Sequence, residues 1–304
     1  MDKIKTTIAV LAYRPGDNLY KIIDSLLFQR YDFTNSPEII IHIDNAKGES
    51  FSELQSRYGD KINVILSKER RGFSGSVVFI SKNFDGDILV LLNDDIYIKD
   101  DLFIHKLIKP IIRDSGVGYV CADRLSLPHR GFIERAIISS KNAYRNMYLK
   151  MDNKNSVYTC DGKAMAFSRD FIKSDIFPDN LSKMGNVDSY LYFVCLKKGF
   201  KYEFAGDAHL YYRSPSVFSE YIGWTGRNDS NRYLLEKEFG KIVNIEYKKP
   251  FFLYRQRMLV EFFKNPLGSI FIFITRPITR FIALRTARNF NPLWTNIGTS
   301  KERF

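Results

Sequence analysis

Asp87-Ile-Leu-Val-Leu-Leu-Asn-Asp-Asp95 (DILVLLNDD) decides the fold. Five apolar residues run without polar alternation and open on an amide and two carboxylates. An apolar run this short, rich in Ile, Leu and Val, reads as a strand covered on both faces, as in a parallel sheet. Working outward, Thr7–Tyr13 (TIAVLAY), Glu38–Asp44 (EIIIHID) and Ile62–Leu66 (INVIL) have the same character. Helical patterns separate them. Asp17–Arg30 sets Leu19, Ile22, Ile23, Leu26 and Leu27 on one stripe, and Ser50–Tyr58 and Phe73–Phe84 fill the other intervals. Strand–helix alternation predicts a doubly wound α/β sheet, which binds ligands beyond the carboxyl ends of its strands. Asp44 and Asn93-Asp94-Asp95 stand at two such ends.

The second half is more mixed. Leu102–Lys109 reads as a helix that Pro110 ends or kinks, and Gly118–Ala122 as a strand. Tyr158–Phe167 reads as a strand interrupted at Asp161-Gly162. Val187–Lys198 reads as a helix stopped by Gly199, Tyr202–Phe204 and His209–Tyr212 as two short strands, and Phe218–Phe239 as a helix.

Composition bounds the function. The chain has 304 residues, enough for one large domain with an appendage. Cys121, Cys160 and Cys195 are scattered and odd in number. They suggest neither a disulfide framework nor a zinc site, and a reducing, cytoplasmic setting is the default. The apolar run in MDKIKTTIAVLAYRPG is too short for a signal peptide or a membrane span. Net charge is +12, but residues 241–304 hold twelve Lys and Arg against three Glu, which is +9 of that total. The positive field belongs to the C-terminal tail. That distribution, with no recognisable binding motif, argues against nucleic acid as a partner.

Several side chains can carry chemistry, and each has a plainer reading. Two adjacent carboxylates at Asp94 and Asp95 repel unless a cation or donor intervenes. A hard divalent ion bridging phosphates resolves this; a solvated turn is the alternative. Asp44 can accept from a base N–H or a ribose hydroxyl, or simply cap a loop. Asp188, near a helix start, sits where N–H groups and the dipole favour an ionised carboxylate. That suits a general base or an ordinary helix cap. His209 can ligate a metal or pack among aromatic rings. Arg213, Arg227 and Arg232 can clamp phosphates or face solvent, and Trp224 can stack on a sugar or lie in the core. The backbone N–H groups after Arg70-Arg71-Gly72 can face a phosphate.

Together, in this order, the segments TIAVLAYRPGDNLYKIIDSLLFQ, EIIIHIDNAKGES, RRGFSGSVVFISK, DILVLLNDDIYI, DGKAMAFSRD, NVDSYLYFVCLKKGF and RSPSVFSEYIGWTGRN resemble the family 2 inverting glycosyltransferases. The resemblance spans roughly residues 6–240 and lies nearest the galactofuranosyl- and rhamnosyltransferase-like branch. It implies a GT-A, Rossmann-like, mostly parallel twisted sheet flanked by helices. It also implies transfer from a nucleotide-diphosphate sugar of the UDP or dTDP type to a saccharide or lipid-linked saccharide, with Mg2+ or Mn2+. Carried over, Ala12, Tyr13, Asp44 and Arg71 line the nucleoside pocket. Asn93 and Asp94 contact the donor, and Asp95 and His209 hold the metal. Asp188, eleven residues before Gly199, is the catalytic base, and Gly162, Trp224 and Arg227 face the acceptor. Asn93 replaces the first aspartate of the family's DxD, leaving fewer carboxylates for the ion. Val187 replaces the usual Glu before the base, implying an altered acceptor site.

The expected division is a catalytic domain over 1–245 and a basic, aromatic-rich helical tail over 246–304. In the tail, FFLYRQRMLVEFFK (Phe251–Lys264) and the apolar Ile270–Ile274 precede arginines at 276, 280, 285 and 288. Basic residues interleaved with large apolar ones suit a helix lying on an anionic membrane. This would place the protein at the inner face of the cytoplasmic membrane, and packing on the body or a partner subunit is the alternative. Two rival functions are a nucleotidyltransferase and a catalytically silent sugar-binding relative.

Overall fold

The computed structural model describes residues 4–31, 35–46, 49–180, 184, 186–288 and 299. The first half follows the alternation of the sequence. Strands β1 (Thr6–Tyr13), β2 (Glu38–Asp44), β3 (Asn63–Ser67) and β4 (Ile88–Asn93) alternate with helices α1 (Asp17–Leu27), α2 (Glu49–Tyr58) and α3 (Gly72–Lys82). Next come β5 (Ile96–Tyr97), α4 (Phe103–Arg113), β6 (Val117–Ser126), α5 (Phe132–Tyr148), β7 (Ala164–Ser168), α6 (Arg169–Lys173), α7 (Val187–Lys197) and β8 (Lys201–Tyr212). Helices α8 (Phe218–Phe239), α9 (Lys241–Glu246), α10 (Phe251–Lys264) and α11 (Pro266–Arg288) complete the described chain.

One eight-stranded sheet has the order β3-β2-β1-β4-β7-β6-β8-β5. The pairs β1/β2, β1/β4, β2/β3 and β6/β8 are parallel, and β4/β7, β6/β7 and β5/β8 are antiparallel. Alternate residues of β1 serve opposite cores. Ile8 and Val10 pack with Leu19, Ile22, Phe103 and Leu107 from α1 and α4. Ala9 and Leu11 pack with Val77, Ile80 and Leu191 from α3 and α7. Covering both faces is why these strands read as unbroken apolar runs.

Three expectations change. Pro110 lies inside α4, which continues to Arg113. The ring forfeits one helical hydrogen bond, while burial of Ile108 and Ile111 on either side of it holds the last turn to the sheet. The segment before Ala164 is turn rather than strand. The two short strands after Gly199 are one, β8, whose register against β6 jumps from Ala122↔Ala205 to Asp123↔His209. Residues 206–208 have no counterpart on β6, a bulge that re-aims the second half of the strand.

The tail lies against the body. Asn265 Nδ2 donates to Ser139 Oγ on α5 at 3.1 Å, and Arg276 pairs with Asp229 on α8 at 2.8 Å. Tyr221 and Thr275 hydroxyls meet at 3.0 Å. No described helix is long and apolar enough to cross a membrane.

Candidate active site

The carboxyl ends of β1, β2 and β4 meet. Tyr13 is in register with Asp44, Ala12 with Ile43, and Leu11 with Asn93. Asp44 is buried, and its two oxygens accept from the backbone N–H groups of Arg71 (2.7 Å) and Gly72 (2.8 Å). The N–H groups expected to face phosphate at this helix start are therefore committed to Asp44. Gly72 has φ +69°, a conformation open to glycine at little cost. An ionised carboxylate has about four lone-pair positions, so Asp44 keeps acceptor capacity for a ligand. The Arg70 guanidinium lies over the Tyr13 ring at 4.5 Å, and Arg71 Nε donates to Ser67 Oγ at 3.0 Å. Arg14 and Asn45, just past β1 and β2, have φ of +50° and +55°. Such strain in non-glycine residues collects at ligand sites.

The Asn93–Asp95 turn is pinned from two sides. Asn18, buried on α1, donates from Nδ2 to the carbonyls of Asp94 (2.7 Å) and Ile96 (3.1 Å). The Asn93 N–H donates to the Lys163 carbonyl at 3.0 Å. Lys163 Nζ spans both Asp95 oxygens at 3.0 and 2.8 Å. Asn93 Oδ1 is buried with no hydrogen-bond partner among the described residues. Among those residues no three His, Cys, Asp or Glu side chains gather as a metal-holding group. His209 directs Nδ1 toward Asp123 Oδ2 at 3.3 Å, because the β8 bulge brings the two into register, an arrangement that leaves Nε2 for a ligand. Asp123 is fully buried and also binds Arg145. The oxygens at the turn are thus few. One or two protein oxygens completed by phosphates is an ordinary Mg2+ arrangement, so the set fits an ion arriving with a nucleotide.

Asp188 stands one residue inside α7, whose cap is Asn186. Its Oδ2 accepts the Gly162 N–H at 3.0 Å, and its Oδ1 accepts the Ser189 N–H at 2.7 Å. Burial raises the Asp188 carboxyl above its usual range, outweighing those N–H groups and the nearby Arg124. The N–H groups expected at its helix start do reach it, but their influence is smaller than desolvation. Gly162 contributes its N–H; a Cβ there would come no nearer than 3.5 Å to Phe73, so space does not demand glycine. Arg227 on α8 is pushed down to about 10 by burial, opposed by Asp188 and Asp95. The two carboxylates therefore share one guanidinium's field. Trp224, a turn earlier, has its ring 4.3 Å from Lys141 Nζ. Arg213 pairs with buried Glu134, and Arg232 with Glu236 and Asn244.

Sequence reading missed Asn18, Arg124, Lys141 and Lys163. Lys163 stands two residues after Asp161 and directly before β7, and Arg124 lies near a strand's carboxyl end, both placements that could have flagged them. Asn18 and Lys141 lie in amphipathic helices and carry no local signal.

Helices on both faces of this sheet, with carboxylates at its strand ends, match the GT-A fold of sugar-nucleotide enzymes. The chain belongs to glycosyl transferase family 2, whose model matches residues 7–175. Among solved structures it resembles the mannosyltransferase PcManGT from Pyrobaculum calidifontis, in complex with GDP-Man and Mn2+. The TM-score is 0.59 and the identity 15%, over 98% of this chain and 83% of that one. Glucosyl-3-phosphoglycerate synthase from Mycobacterium tuberculosis, with Mg2+ and UDP, gives 0.51 and 13%, over 78% and 80%. GalNAc-T7, with UDP, GalNAc and Mn2+, gives 0.52 and 12%, over 84% and 57%. At such identities the likeness is one of fold. No curated protein matches the chain by sequence.

Proposed function

We propose that the chain is an inverting glycosyltransferase moving a sugar from a nucleotide-diphosphate donor to a hydroxyl of a saccharide or lipid-linked saccharide, in cell-surface polysaccharide or glycolipid assembly. The observation that carries this reading is the pair Asp95 and Asp188, one at a parallel strand's carboxyl end and one at a helix start, both within the field of Arg227. Ala12, Tyr13, Asp44 and Arg71 bind the nucleoside, with Asp44 accepting from the base or ribose. Asn93 and Asp94 contact the diphosphate. Asp95 would hold a Mg2+ or Mn2+ ion together with the donor phosphates, and such an ion neutralises charge on a leaving diphosphate. His209 faces Asp123 through Nδ1, so Nε2 is the nitrogen that would join that ion.

Asp188 removes the acceptor proton as the hydroxyl attacks the anomeric carbon from the face opposite the nucleotide. Its raised carboxyl makes it a stronger base than a solvated aspartate. Gly162 and Ser189 hold it in place, and Trp224 and Arg227 line the acceptor side. Asp188→Asn is expected to lower transfer by about 10³-fold or more while UDP binds as before, read by product formation and by calorimetric titration. Full turnover by the variant would remove Asp188 from the role.

The catalytic part reaches to about residue 245, and the tail from 246 docks on an anionic membrane at its cytoplasmic face. Phe252, Phe263 and Phe273 are 86, 80 and 81% exposed. Exposed Arg255, Lys264, Arg280 and Arg285 lie among them. Apolar rings beside basic residues match the chemistry of a lipid interface.

A further inference from the structure

Four cations from four elements lie within electrostatic reach of one another or of the carboxylates at Asp95 and Asp188. Lys141 reaches from α5, Arg124 from β6, Lys163 from the entry to β7, and Arg227 from α8. Lys141 and Lys163 share the Tyr212 ring, with ammonium groups 4.3 and 5.1 Å from its centre. Lys141 is also 4.3 Å from the Trp224 ring and 3.4 Å from Ser214 Oγ. Three carboxylates lie among them. Asp95 binds Lys163, Asp161 binds Arg124, and Asp188 accepts from backbone N–H groups. Among the described residues Lys141 forms no ion pair with a carboxylate, and its contacts are two ring faces and the Ser214 hydroxyl. Burial depresses its ammonium well below the usual range, and Arg124 and Lys163 push it further the same way against a smaller opposing effect of Asp95.

Gathering like charges in a partly dry space is costly unless an anion joins them. The donor's nucleoside contacts lie elsewhere, and its diphosphate is placed at the Asn93–Asp95 turn, which Lys163 meets through Asp95. Tyr13, Asp44 and Arg71 belong to β1, β2 and the start of α3, whereas the cations belong to the β7-β6-β8 half that carries Asp188. Tyr212 and Trp224 add two ring faces of the kind that stack on sugars.

We infer that the acceptor carries a phosphate or diphosphate group, bound by Lys141 together with Arg124 and Arg227, beside the hydroxyl that Asp188 deprotonates. This rests on the glycosyltransferase reading above and names the acceptor class of that same site. The phosphate can be borne by a soluble sugar phosphate or by a lipid-linked sugar.

The test titrates the full chain with UDP and Mg2+ already saturating, so that the donor's phosphate positions are filled. The probes are hexose 1-phosphates, the free hexoses and a farnesyl-diphosphate-linked hexose. Phosphate-bearing probes are expected to bind at least about tenfold more tightly than free hexoses, a usual scale for a charge-assisted contact. Lys141→Met removes that preference, Lys141→Arg restores most of it, and UDP affinity moves by less than about twofold. Tighter binding of the farnesyl-linked probe assigns the phosphate to a lipid carrier; tighter binding of the soluble ones assigns it to a free sugar phosphate. Equal binding of hexose and hexose phosphate overturns the inference. So does a Lys141→Met loss of UDP affinity as large as the loss for hexose 1-phosphate, since the donor's own diphosphate would then fill the cluster. Failure to bind any UDP, dTDP or GDP nucleotide would instead sink the glycosyltransferase reading.

Discussion

Asp188, the proposed base, is held as a buried carboxyl at the expense of stability. Its carboxyl is raised by burial, so the folded chain holds that proton more tightly than the unfolded chain does. The stabilising contribution is then complete below the ordinary carboxylate range and is lost as pH rises through the raised value. Asp188→Asn carries no charge to bury. Its melting temperature relative to the parent is therefore expected to climb as pH goes from about 4 to 8, followed by calorimetry across that range. A constant difference would place the burial cost elsewhere. Residues such as Asp44, Asn93, Asp95 and Asp188 were legible in the sequence because each follows an apolar strand or opens a helix. Asn18 and Lys141 were not. Asn18 acts through two carbonyls 76 and 78 residues away, and Lys141 through rings brought to it by β8 and α8. Nothing local in an amphipathic helix marks such a partner. The Asp123 neighbour of His209 was not legible either, since it is set by a bulge that no residue pattern announces.

At the scale of elements, β1 to β4 and the helices between them were readable to within a few residues because apolar periodicity alone specifies them. Where tertiary contact decides, the reading failed. α4 runs through Pro110 because Ile108 and Ile111 are buried against the sheet, and β8 is continuous because β6 pairs with both of its halves. Helices α10 and α11 have two unlike sides. Glu261, Asn265, Thr275 and Thr279 are buried against the body, while Phe252, Phe263 and Phe273 face outward. Replacing those three phenylalanines by Ser is expected to cut flotation with phosphatidylserine vesicles at least about tenfold, since each buried ring is worth roughly 1.5–3 kcal/mol. UDP affinity should be untouched, and raising the salt should weaken the parent's binding. Flotation equal to the parent's would leave the outward side without a lipid role.

Across the whole molecule, the Asp95 turn and the Asp188 side of the site are tied together at several points, one of them very short. The Asn93–Asp95 turn runs directly into β5, and β5 pairs Ile96 with Tyr212 and Tyr97 with Tyr211. Tyr212 is also the ring against which Lys141 and Lys163 rest. That two-residue ladder, together with the β4/β7 pairing and the Lys163–Asp95 ion pair, fixes the spacing between the carboxylate at Asp95 and the Tyr212 ring, in the manner of a short ruler. A ruler of this kind has no slack: one residue added between Asp95 and Ile96 would turn Ile96, now wholly buried, to the opposite face. Such an insertion is expected to leave UDP binding within a few-fold and to reduce sugar transfer far more, read on the same preparation. Which hydroxyl of the acceptor is glycosylated would then be a property of backbone length, set before any side chain touches the sugar.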